Sequence, residues 1–276
     1  MAKRKLFCEI SPLTYAISLH KGIIMRHVKN CLSRERFAVR RQEAKLPVEV
    51  YSTSNNMIKR GPGIDAVLQQ NKADNIRLAC SKINGLVIWP QETFSFWRVV
   101  GKTSKRNGYT EGRVLVNGRL VAGVGGGLCN LANTLHLLAL QSSLTITERH
   151  YHSDALAPDS DGRHVPFSSG TSVNWNFLDL RFRNDTDQPM QLCIWTEGDT
   201  LRAELRTTVE SLHFYRLTEE DHHFHLEDDG KYYRLSRIYR ETVDKATGNL
   251  LARELIRDNH SEVMYDYSLI PPEQIR

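Results

Sequence analysis

The chain has 276 residues, 40% hydrophobic and 25% charged, with a formal net charge of +5. It reads as an ordinary soluble globular protein with enough apolar material for a sizeable core, in one large domain or two smaller ones. Five cysteines (Cys8, Cys31, Cys80, Cys129 and Cys193) lie far apart without a C-x-x-C pair, which argues against a disulfide frame or a structural zinc site and for free thiols in a reducing compartment. The basic excess sits mostly in Lys3–Lys5, Lys21–Lys29 and Arg34–Lys45. No nucleic-acid motif accompanies it, so a solvated basic face and no nucleic-acid partner are expected. Met1–Lys5 imitates the start of a signal peptide, but Glu9 and Pro12 interrupt the apolar stretch that such a peptide needs. No run approaches the roughly 18 apolar residues of a membrane span. These features place the chain in the cytoplasm, without a transmembrane segment.

Ser11-Pro12 begins a helix to about Leu32, with Leu13, Ala16, Ile17, Ile23, Ile24 and Val28 as its stripe. Its other face carries His20, Lys21, Arg26, His27 and Lys29; such a helix packs on its own domain or lies on an anionic membrane. Residues 33–62 are polar and read as a connection. A second helix is predicted over Asn71–Ile83, closed by Asn84-Gly85, then a short strand at Leu86–Pro90. Asn117-Gly118 between apolar pairs predicts a hairpin over Val114–Val121. It feeds a glycine run, Gly123 and Gly125–Gly127, and a buried helix over 128–142.

After that helix, Leu144 and Ile146 face the core by strand parity, and the same face continues as Glu148, His150 and His152. Such a polar triplet needs partners or a use. Leu156–Ser169 is loop-like. Asn174–Arg183 reads as a strand with Asn174, Asn176, Leu178, Leu180 and Phe182 inward and Asp179, Arg181 and Arg183 outward. A meander over Met190–Thr207 and further hairpins over 211–256 complete the chain. The fold class is α+β: a buried central helix packed on an antiparallel sheet, with N-terminal helices and C-terminal β-hairpins. The predicted divisions are an extension and connection at 1–62, a core domain at 63–210 and a hairpin extension at 211–276.

The run from Asn71 to Arg206 resembles the VanW family. Glu92-Thr-Phe-Ser-Phe96, Gly108-Tyr109 and Val116-Asn-Gly118 carry part of the likeness. Gly125-Gly-Gly-Leu-Cys129 and Glu148-Arg-His150 are its most specific blocks. Asn130 stands where the family usually has Gln. The resemblance implies an association with glycopeptide resistance and cell-wall metabolism, with a small molecule or a peptidoglycan precursor as the ligand.

Two chemistries fit the central stretch. In a Cys-His acyl transfer, Cys129 at the helix N-terminus is the nucleophile, and its pKa should lie below the usual value of roughly 8.5. His150 or His152 is the base, Asn176 orients it, and the N–H groups of Gly125, Gly126 and Gly127, with Asn130, stabilise an oxyanion. In a non-catalytic alternative the same glycine turn and helix N-terminus hold an anionic ligand, with Glu148 and Arg149 nearby. The loop lacks the Lys-Ser/Thr ending of a P-loop. Cys129, Glu148, His150 and His152 would be a weak metal set; no metal and no cofactor are expected.

Overall fold

The computed structural model describes residues 6–60, 65–116, 119–151, 154–155, 170–175 and 177–276. Asn117, Gly118, His152 and Asn176 lie outside the described residues. Helix α1 (Pro12–Leu32) starts on a capping box, in which the Ser11 hydroxyl accepts from the Thr14 N–H and the Thr14 hydroxyl accepts from the Ser11 N–H. Helix α2 (Ala66–Ile83) begins five residues before the expected start. The Asp65 carboxylate accepts from the N–H groups of Val67 and Leu68 and so caps the extra turn.

The central sheet is β2 (Val48–Asn56), β11 (Thr200–Thr207), β10 (Met190–Glu197) and β3 (Leu86–Ile88), in that order and antiparallel throughout. Helices α2 and α4 (Leu128–Leu140) pack on it. Ile76, Ala79 and Ile83 of α2 and Leu131, Leu135 and Leu138 of α4 close the core against Leu192, Ile194, Leu201 and Leu205. Each such leucine contributes roughly 1.5–3 kcal/mol relative to exposure. The buried central helix on an antiparallel sheet is thus what the pattern predicted. Residues 48–56, by contrast, form a strand rather than a connection. One face of β2 is solvated, so its Ser, Thr and Asn residues masked a strand that alternates between half-buried and exposed along most of its length.

A second sheet runs β1 (Arg36–Phe37), β4 (Glu92–Ser95), β9 (Arg181–Arg183) and β7 (Thr145–Glu148). Only its β1–β4 pair is parallel. Strand β4 runs directly into the short helix α3 (Phe96–Val100). Phe94 and Phe182 stack at 4.6 Å between centroids across the sheet. The expected strand over Asn174–Arg183 shortens to β9, preceded by a turn in which Asn174 bridges Leu178. Asn174 is exposed, while Asp179 and Arg181, assigned outward by parity, are buried. Their mutual ion pair at 2.8 Å makes that reversal tolerable.

Hairpin β5 (Glu111–Val116)–β6 (Arg119–Val124) leads into the glycine turn. The third sheet is a ribbon of β12 (His213–Leu226), β13 (Tyr232–Asp244) and β14 (Leu250–Val263), with β8 (Asp154–Ala155) parallel at its edge. β12 is broken by a register shift between Glu220 and His223, where Asp221 adopts a φ of 54°. Beyond that break Phe224 bridges Ile275, and the Arg276 N–H donates to the Phe224 carbonyl.

Candidate functional site

The glycine turn is first a packing device. A Cβ on Gly126 would lie 2.3 Å from the Gly112 carbonyl carbon of β5, so no side chain fits there. Gly127 caps α4 with a φ of 102°, a conformation that favours glycine, and the Lys72 side chain lies against it. The Gly125 N–H donates to the Thr110 carbonyl and the Gly126 N–H to the Gly123 carbonyl. Asn75 ties the turn to α2: its Nδ2 donates to the Gly126 and Thr110 carbonyls, and its Oδ1 accepts from the Thr110 N–H.

Lys72 carries no signal in the sequence that marks it out from other helical lysines. Burial, with Lys59 and Arg113 alongside, pushes its pKa down to about 8. Among the described residues no carboxylate pairs with it. A cation that is both desolvated and crowded by like charges is destabilised where it stands.

Cys129 sits in the first turn of α4, as predicted, but the expected sign of its pKa shift is reversed. Burial pushes the thiol up, and hydrogen bonds with the backbone of Val173 and with its own backbone do not offset that. Its Sγ donates to the Val173 carbonyl at 3.7 Å. Desolvation outweighs the helix dipole here. Iodoacetamide should therefore modify the exposed Cys31 well before Cys129, Cys80 (pushed up to about 12) or Cys193. Peptide mapping by mass spectrometry checks this; modification of Cys129 ahead of Cys31 would restore the thiolate.

The segment Thr171–Val173 joins α4 to the chain after β7. On α4 it meets Cys129, Asn133 through the Thr171 N–H, and the His136 Nδ1 through the Thr171 hydroxyl at 3.0 Å. Toward β7 the Ser172 N–H donates to the His150 carbonyl, and Thr171 bridges Tyr151. The His150 ring is engaged elsewhere, its Nε2 lying 3.0 Å from a Glu148 oxygen. Asn130 has a buried Oδ1 without a hydrogen-bond partner among the described residues. Arg149 donates to the Ile256 carbonyl of β14 at 2.6 Å.

Glu148 is the hub of a half-buried ion network. Arg26 grips both its oxygens at 2.5 Å, from 122 residues away in sequence. The Asp179 N–H donates to it, and the Arg181 Nε lies 3.6 Å off. Arg181 pairs in turn with Asp179 and, at 3.0 Å, with Glu35, and Asp179 accepts from the Ser95 hydroxyl and the Trp97 N–H. Burial alone would push the Glu148 carboxyl up, but hydrogen bonds from Arg26 and His150 and the charges of Arg26 and Arg181 hold it below the usual carboxylate range. Strand parity correctly turned Glu148 inward. Arg26, Asp179 and Arg181, its partners, had no local signal. A cleft of about 450 Å³ opens nearby, lined by Asn30, Arg41, Trp97, Arg98 and Trp175 among others.

The family comparison spans the glycine turn and Glu148. Residues 71–206, which contain the glycine turn, α4 and Glu148, match the family model described as VanW like protein. Residues 71–206 are thus a VanW-like domain. It is also 28% identical over 223 residues to the vancomycin B-type resistance protein VanW of Enterococcus faecalis (strain ATCC 700802 / V583), covering 81% of this chain and 80% of that one. The uncharacterized protein YoaR of Bacillus subtilis (strain 168) is 34% identical over 121 residues, which are 44% of this chain and 38% of YoaR. No solved structure matches. Among the described residues no group of three or more His, Cys, Asp or Glu side chains could hold a metal ion. No helix in them is long and apolar enough to cross a membrane.

Proposed function

We propose that this VanW-like domain is a binding element in glycopeptide resistance and cell-wall metabolism, which holds the carboxylate or phosphate of a peptidoglycan-precursor-like ligand at the glycine turn. The observation that carries this reading is Lys72, lying over Gly127 with its ammonium destabilised by burial and by Lys59 and Arg113. An anion in that position relieves the repulsion among three cations. It also lies at the N-terminus of α4, where the helix dipole favours negative charge. Arg113 and Lys59 draw the ligand in, and Lys72 contacts it directly.

A thiol reaction by Cys129 is the second reading. It is favoured by the backbone hydrogen bond that Cys129 directs at its own sulfur. It requires an imidazole to displace the Val173 carbonyl as the partner of the thiol, and His150 to leave Glu148.

One experiment separates the two. Binding of a soluble muramoyl-pentapeptide precursor is followed by calorimetry for the wild type, Lys72→Met and Cys129→Ser. Loss of one charge-assisted contact should weaken Lys72→Met about tenfold, while Cys129→Ser binds as the wild type does. Affinity should fall as the pH rises through about 8, where Lys72 loses its proton. Equal affinity of Lys72→Met and the wild type would reject the site, and turnover of the precursor that Cys129→Ser abolishes would establish the thiol reaction.

A further inference from the structure

Helix α1 presents two different faces. Gly22, Arg26 and Asn30 recur every fourth residue and hold it to the domain. A Cβ on Gly22 would come within 2.6 Å of the Phe177 ring, Arg26 grips Glu148, and Asn30 accepts from Arg181 at 2.7 Å. At 3.6 residues per turn, Leu13, Ile17, Ile24 and Val28 fall on the opposite side. They are 70, 49, 60 and 45% exposed, and Ile10 extends the row at 62%. No residue of α1 is buried. Isolated exposed apolar side chains are ordinary, but a continuous stripe marks a contact surface.

Charge identifies what covers it. Residues 1–34 contain seven lysines and arginines and a single acid, Glu9, whereas the rest of the chain has 30 basic and 31 acidic residues. The whole basic excess of the protein therefore travels with the stripe. Lys21 and Lys29 are exposed on α1 itself. A second copy would bring another positively charged helix against the first. An anionic lipid surface brings the opposite sign.

We infer that α1 is an interfacial helix, which lays Leu13, Ile17, Ile24 and Val28 among the acyl chains of an anionic bilayer while Lys21 and Lys29 meet the headgroup phosphates. It lies on the membrane and does not cross it, since Lys21, Arg26 and Lys29 interrupt its length. The inference is independent of the ligand proposed for the glycine turn.

Flotation of the full chain with vesicles tests it. Binding to vesicles of phosphatidylglycerol and phosphatidylcholine should exceed binding to phosphatidylcholine alone by about tenfold or more, and should weaken with added salt. The substitutions lie at exposed positions, and thermal melting checks that each variant is folded. Ile17→Gln with Ile24→Gln should reduce binding about tenfold. Lys21→Gln and Lys29→Gln should each reduce it about fivefold, on anionic vesicles only. The inference is overturned if the folded wild type fails to float with anionic vesicles at low salt, or if the double isoleucine variant floats equally well. It is equally overturned if the chain is a dimer in solution that this variant dissociates, because a second copy then covers the stripe.

Discussion

Glu148→Gln should lower the stability of the protein by about 1–3 kcal/mol at neutral pH, the cost of leaving the half-buried Arg26 guanidinium without its charged acceptor. Arg26 would lose both of its short contacts, and Arg181 would keep Asp179 and Glu35. The effect should depend on pH with a defined sign. The folded carboxyl is held below its ordinary value, so its contribution is complete above the unfolded pKa of roughly 4.3. It is lost as the pH falls from there through the lower folded value. Urea denaturation of wild type and variant at pH 7 and pH 3 measures this. The gap between them should shrink sharply at pH 3; a gap of the same size at both would show that Glu148 acts by packing alone. Hydrogen exchange in α1 should also quicken in the variant, since Arg26 is a main tether of that helix.

His136 should produce a second and separate acid sensitivity. Its ring is 2% exposed, its Nε2 is buried without a hydrogen-bond partner among the described residues, and Arg149 and Arg257 stand nearby. Burial first, then those two charges, push its pKa down to about 3. An unfolded histidine titrates near 6.5. Below that value the unfolded chain takes up a proton that the folded chain refuses. Stability therefore declines by about 1.4 kcal/mol per pH unit from roughly 6.5 downward, until the folded ring itself titrates near 3. His136→Gln should abolish this slope between pH 6.5 and pH 5 and leave the Glu148 limb at lower pH intact. Denaturation curves at half-unit steps would show it, and an unchanged slope in the variant would mean that His136 takes up its proton in the folded state.

Local pattern carried much of this protein. Ser11-Pro12, the leucine spacing of α4 and the parity of Leu144, Ile146 and Glu148 are rules of one element, and each could be read directly. The failures share a physical cause. Asp179 and Arg181 follow outward parity as single residues, and only their pairing with each other and with Glu148 makes burial tolerable. Arg26 looks like one charge on a basic helix until a chain segment far away in sequence returns beside it. Lys72 reads as a solvated helical lysine, and only the absence of a Cβ on Gly127 shows how closely it can approach the turn. For Cys129 the position was legible but the balance was not: a helix N-terminus favours the thiolate, and the surrounding core, unseen in the sequence, disfavours it more.

The break in β12 has a consequence for the solubility of the whole molecule. A 14-residue outer strand is a template on which another polypeptide could add its own strand and begin an ordered aggregate. Here the left-handed Asp221 divides that template into two short lengths, and Ile275 and Arg276 already occupy the backbone groups of the second at Phe224. The length left open, His213–Glu220, carries Arg216, Glu219 and Glu220, so an incoming strand would have to strip water from charges to pair there. The long ribbon thus offers neighbouring molecules no continuous seam.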